Sequence, residues 1–196
     1  MGFEICRTRR GPGAKACIVL WLIAGALAFR PGEVRAQSVA TKEYQIKAVF
    51  LFNFAQFVEW PTNAFPEAQG PLVIGVLGDN PFGTYLDETI RGEEVNKHPL
   101  AVQHYRQADE IKKCHILFIS QSEMGRLDQI LPSLKGRNIL TVGDAESFVR
   151  QGGMIRFVTE KNKIRLRINL EAAKAANLTI SSKVLRAAEI VAPGKD

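Results

Sequence analysis

Three apolar runs, each passing directly into polar turn-forming residues, restrict the folds open to this chain more than any other feature. Leu72-Val-Ile-Gly-Val-Leu77 leads into Gly78-Asp79-Asn80-Pro81, His115-Ile-Leu-Phe-Ile119 into residues 120–123, and Asn138-Ile-Leu-Thr-Val142 into Gly143-Asp144. Runs this short and this continuously apolar suit strands covered on both faces, and the residues that follow suit helix starts. Asp79 or Asn80 is placed to cap a helix with Pro81 in its first turn, Ser120 with Glu123 fits a capping box, and Asp144 fits a third cap. Residues 100–105 add a strand between the first two runs. The expected fold is α/β, a mostly parallel sheet flanked by helices in three Rossmann-like layers.

The remainder of the chain frames that sheet. Residues 41–59 contain neither Gly nor Pro and end at Trp60-Pro61, which predicts a helix stopped by the proline. Phe50, Phe54 and Phe57 share one face, but Val49, Leu51, Phe52, Ala55 and Val58 spread over most of the circumference. A helix apolar nearly all round is buried on most sides, either inside the domain or against a subunit or partner. Residues 154–159 and 163–169 flank Glu160-Lys161-Asn162 and predict an antiparallel hairpin with a three-residue turn. In its second strand Ile164, Leu166 and Ile168 face one way, while Lys163, Arg165, Arg167 and Asn169 face the other. Arg156 is placed to join that basic face across the pair. Residues 171–176 predict a short helix, and residues 181–190 another, closed by Pro193.

The N-terminus reads as an export signal. Arg7, Arg9, Arg10 and Lys15 precede an apolar run over residues 16–29, and Val34-Arg35-Ala36 before Gln37 has the small-x-small cleavage pattern. The expected organisation is a signal peptide over residues 1–36, cleaved near Ala36, and a single domain over residues 37–196. The apolar run is shorter than the roughly 20 residues a spanning helix needs, so the cleaved protein is not expected to cross the membrane. Cleavage removes six of the 26 Lys+Arg and two of the 20 Asp+Glu, leaving 20 against 18, a net charge of +2. That near-neutral balance removes the electrostatic argument for nucleic acid. Cys6 and Cys17 leave with the signal, so Cys114 stands alone and no intramolecular disulfide forms.

Catalytic patterns are missing. His98, His104 and His115 have no chelating spacing, and Cys114 and His115 are strand neighbours that point to opposite faces, so neither a metal nor a cofactor is expected. Gly75, Gly78 and Gly83 match neither the dinucleotide fingerprint nor the P-loop, and Asp79 among them repels an anion. Asp79, Ser120 and Asp144 fall at the carboxyl ends of parallel strands, where such sheets bind small ligands, although each is also explained as a cap. The basic hairpin face is suited to an acidic partner, or to guarding a sheet edge.

Lys47-Ala48-x-x-Leu51-x-Asn53-Phe54-x-x-Phe57-x-x-Trp60-Pro61 resembles the opening motif of the YfiR family. Cys114-His-Ile-Leu-Phe-Ile119, Ile139-Leu-Thr-Val-Gly143-Asp144, Gly152-Gly153-Met154-Ile-x-Phe157 and Arg165-Leu-Arg167-Ile-Asn169 through Val184-Leu185 are similar to its later blocks, in order. The resemblance implies a soluble, dimeric periplasmic regulator and no enzyme. Such a protein represses a membrane-bound diguanylate cyclase through its periplasmic domain, and so controls cyclic-di-GMP and biofilm formation. One departure is plain: the cysteine pairs that make well-known members redox-responsive are absent here. Under this reading Phe50, Phe57, Arg165 and Arg167 are the candidate contact residues. The alternative is a periplasmic small-molecule binder with its crevice at Asp79, Ser120 and Asp144.

Overall fold

The computed structural model describes residues 32–192 and Gly194, so the expected leader up to Pro31, and Pro193, lie outside the described residues. The chain divides into a unit Met1–Val39 and a unit Ala40–Asp196, and the second carries the architecture below from residue 40 onward. Helix α1 (Gly32–Phe57) leads into the short strand β1 (Val58–Glu59). Strand β2 (Leu72–Leu77), helix α2 (Tyr85–Ile90), and strands β3 (Glu94–Val95), β4 (His98–Tyr105) and β5 (Ile116–Ile119) follow. Helix α3 (Leu127–Ser133) and strand β6 (Leu140–Gly143) precede the hairpin of β7 (Ile155–Glu160) and β8 (Lys163–Ile168). The chain closes with α4 (Leu170–Ala175), β9 (Thr179–Ile180), α5 (Ser182–Leu185) and β10 (Ala188–Ile190).

The large sheet has the order β10-β8-β7-β6-β5-β2-β4-β3, with β4, β2, β5, β6 and β7 all parallel. Strand β8 turns back on β7, β10 runs parallel to β8, and β3 runs antiparallel to β4. This is the α/β class that the apolar runs predict, with the antiparallel hairpin where the alternation of Ile164, Leu166 and Ile168 places it. Alternate strand residues feed two cores. Ile74, Val76, Ile116, Phe118, Leu140 and Val142 pack under α1, α2 and α4, whereas Leu77, Leu117, Ile119 and Ile139 pack on α3. Gly75 belongs to the second face, where a Cβ would lie 2.7 Å from the Tyr105 ring and 2.8 Å from Cys114 Sγ. It is glycine so that two chain segments can approach, and it is not part of a phosphate cradle.

Several local expectations change. Helix α1 ends at Phe57, three residues before Trp60, because Phe57 O already accepts the Ser181 N–H at 2.9 Å and the chain leaves to pair β1 with β9. The hairpin turn has two residues, Lys161 and Asn162, both at positive φ, and Glu160 pairs directly with Lys163. Side-chain caps are missing at both α2 and the turn after β5: Asn80 instead accepts the Phe82 N–H and donates to Gly83 O, and Glu123 pairs with Arg126. No helix follows β6, because the Asp144 carboxylate is committed to α1 and the chain passes through turns to β7. Residues 181–190 form one helical turn and then β10, whose pairing along β8 overrides the helical tendency of the sequence.

Below the sheet, the loop after β1 brings Phe65 between two imidazoles. Its ring stacks 4.0 Å from His98 and 4.4 Å from His115, centroid to centroid. His115 Nδ1 accepts the Val73 N–H at 3.0 Å, which fixes the proton on Nε2, and Nε2–H donates to Ala64 O at 3.2 Å. Burial, chiefly, holds the His115 pKa below its ordinary value, with a smaller push from His98. The unfolded chain therefore takes up a proton near pH 6.5 that the folded state refuses, so this histidine costs stability as pH falls through that value. Urea midpoints measured from pH 8 to pH 5.5 should fall in the wild type. In His115→Gln the profile should start lower and be flatter, the difference in slope not exceeding about 1.4 kcal/mol per pH unit. Cys114 is free and buried, and desolvation raises its pKa to about 12, so the native protein should resist a thiol reagent that labels it fully in urea.

Candidate functional site

Helix α1 lies on the sheet with Ala48, Leu51, Phe54 and Ala55 fully buried, and in the middle of that apolar face it also buries a cation. The Lys47 side chain is 2% exposed and its Nζ lies 2.7 Å from Oδ2 of Asp144, itself 4% exposed. Asp144 occupies this position because it is the first residue beyond β6, at the carboxyl end of the parallel strands. Three further contacts complete the cluster. Glu43, one turn back, meets Lys47 Nζ at 2.6 Å; Tyr44 donates its hydroxyl proton to the same Asp144 oxygen at 2.8 Å; and the Lys47 ammonium sits 4.3 Å from the centre of the Tyr44 ring. Burial, then the hydrogen bond to Asp144, pushes the Tyr44 pKa up, so its proton stays in place.

A cavity of about 280 Å³ opens beside this cluster, with Gln121 and Arg156 also on its wall. Asp144 Oδ1 is buried without a hydrogen-bond partner. Lysine and tyrosine both converge on Oδ2 of the aspartate, which makes the arrangement a clamp between helix and sheet. Among the described residues no group of three or more His, Cys, Asp or Glu is disposed to hold a metal ion.

The three strand-end residues share one end of the sheet without forming one site. The cavity is lined by Asp144 but by neither Asp79 nor Ser120. Asp79 is exposed, with its N–H donated to Ser122 Oγ at 3.0 Å, and Ser120 is buried. The strand order reverses at β2, the position where open α/β sheets keep their ligand crevice. Here Ser122 and Glu123 fill it: Gly78 has φ +86°, and a Cβ on it would overlap Ser122 Oγ and Glu123 Cγ.

The four candidate contact residues also separate. Phe50 is half-buried against Phe54 and Phe157, with centroids at 6.3 and 5.8 Å, and Phe57 lies under the Lys183 ammonium at 5.2 Å. Arg167 stands directly opposite Arg156 and pairs with Glu189 at 3.1 Å, so it fastens β10 to β8, whereas Arg165 is exposed. Among the described residues, the large apolar side chains that α1 presents to solvent are Ile46, 40% exposed, and Val49, 48% exposed. Sequence reasoning passed over Tyr44, Lys47 and Ile46. The signal for Lys47 was present: a lysine followed at once by Ala48 and Leu51 on the inward face requires a buried anion.

Removing one member of a buried pair strands the other, so Lys47→Met and Asp144→Leu should each cost about 3–5 kcal/mol in urea unfolding. The double variant should cost distinctly less than their sum, because neither member of the buried pair is left without the other, and the partly exposed Glu43 returns to solvent. An additive result would show that the two residues act separately.

Lys47 and Asp144 come from two of the sequence blocks that carry the family resemblance, and they meet in one ion pair. The profile of the YfiR/HmsC-like family matches residues 44–189, from the tyrosine of the clamp to the glutamate of β10. A search of the curated proteins finds no match. The span covers most of the chain and reaches into every strand of the sheet, and the chain belongs to the YfiR/HmsC-like family.

Proposed function

We propose that this chain is a periplasmic regulator that represses an inner-membrane diguanylate cyclase by direct contact, its release raising cyclic-di-GMP and biofilm formation. Membership of the YfiR/HmsC-like family over residues 44–189 is the observation that carries this reading. The side-chain chemistry favours contact over turnover. Asp144, the buried acid at the strand ends, is held by Lys47 and Tyr44, and Cys114 is buried and kept protonated. None of the described helices is long and apolar enough to cross a membrane. Export of the chain follows from the charged, apolar and small-residue order of its first residues.

We place the contact surface on the outward side of α1. Ile46 and Val49 lie three residues apart on one helix face and are among the most exposed large apolar side chains described. Exposed apolar groups at helical spacing are the usual anchors of helix-mediated contacts. Phe50 and Phe57, on the same helix, are partly buried against the core, and Arg165 offers a charge on the hairpin. We assign the same chain a homodimeric state. The strand-end crevice is the weaker reading, because its one buried carboxylate already answers Lys47 and Tyr44.

Val49→Asp, made at an exposed position, should leave the circular dichroism unchanged and raise cellular cyclic-di-GMP several-fold in a strain that depends on this protein for repression. The same variant should fail to retain a cyclase from solubilised inner membrane in a pull-down. Full repression by Val49→Asp and by Ile46→Asp would remove α1 from the contact surface, and recovery of no membrane partner by the wild type would remove the regulatory reading itself.

A further inference from the structure

At the opposite end of the sheet from the clamp, the amino ends of β2, β5 and β6 surround a cavity of about 290 Å³. Its chemistry is unbalanced. Lys112, Lys113 and Arg137 line it against a single carboxylate, Glu67, which is already paired with Lys113 at 2.6 Å. Arg137 donates one guanidinium nitrogen to the carbonyls of Ile111 and Lys112, and Lys112 donates to Asp109 O at 3.1 Å. Among the described residues neither of these two cations has a carboxylate partner.

A second observation is independent of the charges. Asn138 lines the same cavity, the residue is 7% exposed, and its Nδ2 is buried with no hydrogen-bond partner. Its φ of +56° accounts for asparagine in place of a branched residue, but not for an unanswered donor. A buried amide left without an acceptor is costly, and folded proteins rarely keep one unless a ligand or water completes it. Water would answer each donor but leave the charge unbalanced. An anion answers the amide and both cations together and neutralises them.

We propose that this cavity binds a small oxyanion, a carboxylate or phosphate group, through the Asn138 amide and the uncommitted N–H groups of Arg137, with Lys112 at the rim. The site is separate from the outward face of α1 and does not depend on the regulatory reading.

The test is a titration of the ¹⁵N-labelled full chain with inorganic phosphate and, separately, with succinate, at constant ionic strength balanced by chloride. One of the two should shift the Asn138 side-chain amide and the Arg137 Nε–H resonances saturably, with a midpoint below about 10 mM, and the anion that does so identifies the class. Asn138→Gly accepts the positive φ and deletes the amide, and it should weaken binding at least about tenfold. Lys112→Gln, at an exposed position that leaves the fold intact, should weaken it about threefold. The proposal fails if neither anion saturates the shifts by about 50 mM. It also fails if binding is unchanged in Lys112→Gln and in folded Asn138→Gly.

Discussion

The structure depends on one buried ion pair. An α-helix with apolar residues over most of its surface has no unique way to lie on a flat apolar sheet, because rotation and sliding exchange one hydrophobic contact for another. Lys47 removes that freedom. Glu43 accompanies the charge on its own helix, but Asp144 is the carboxylate that meets it from the sheet, and that pairing favours one rotation and one height of the helix. Tyr44 adds a hydroxyl to the same oxygen and an aromatic edge to Phe82, which in turn meets Phe118 in the centre of β5.

The far end of the helix is fixed by different means. Beyond Phe57 the chain pairs β1 with β9, turns at Trp60-Pro61 and inserts Phe65 between His98 and His115. The His115 ring bridges two backbone segments, accepting from Val73 on β2 and donating to Ala64 in the loop. One helix is thus held at the carboxyl end of the sheet by charge and at the amino end by stacked rings and neutral hydrogen bonds. Its outward strip, with Ile46 and Val49, is presented at a fixed angle to whatever binds there.

Much of this was legible in the sequence, for identifiable reasons. Strands β2, β5 and β6 announce themselves because a strand covered on both faces must be apolar throughout, and β8 does so because half of it is not. Side-chain commitments were not legible. Asp144 after an apolar strand looks like a helix cap, and only the approach of α1 shows that its carboxylate is already occupied. Glu123 likewise turns to Arg126 and not to a backbone N–H. Strand β10 was hidden for a tertiary reason: the pairing that makes Ala188–Ile190 extended lies on β8, more than twenty residues earlier. Of the candidate site, Asp144 was found, but its partner was read as part of a motif and not as a buried charge.

The pairing of β1 with β9 has a kinetic side. Val58 faces Ile180, so the segment that fastens the end of α1 follows it by more than 120 residues, and closing a loop of that length precedes the contacts that reward it. While the chain emerges from its amino end, α1 has neither its strand partner nor, until Asp144 appears, the buried anion on the sheet for its lysine. Its apolar sides stay uncovered for nearly the whole of that passage. A chain built in this order has a long interval in which a second copy, or a holding chaperone, finds the helix before the sheet does.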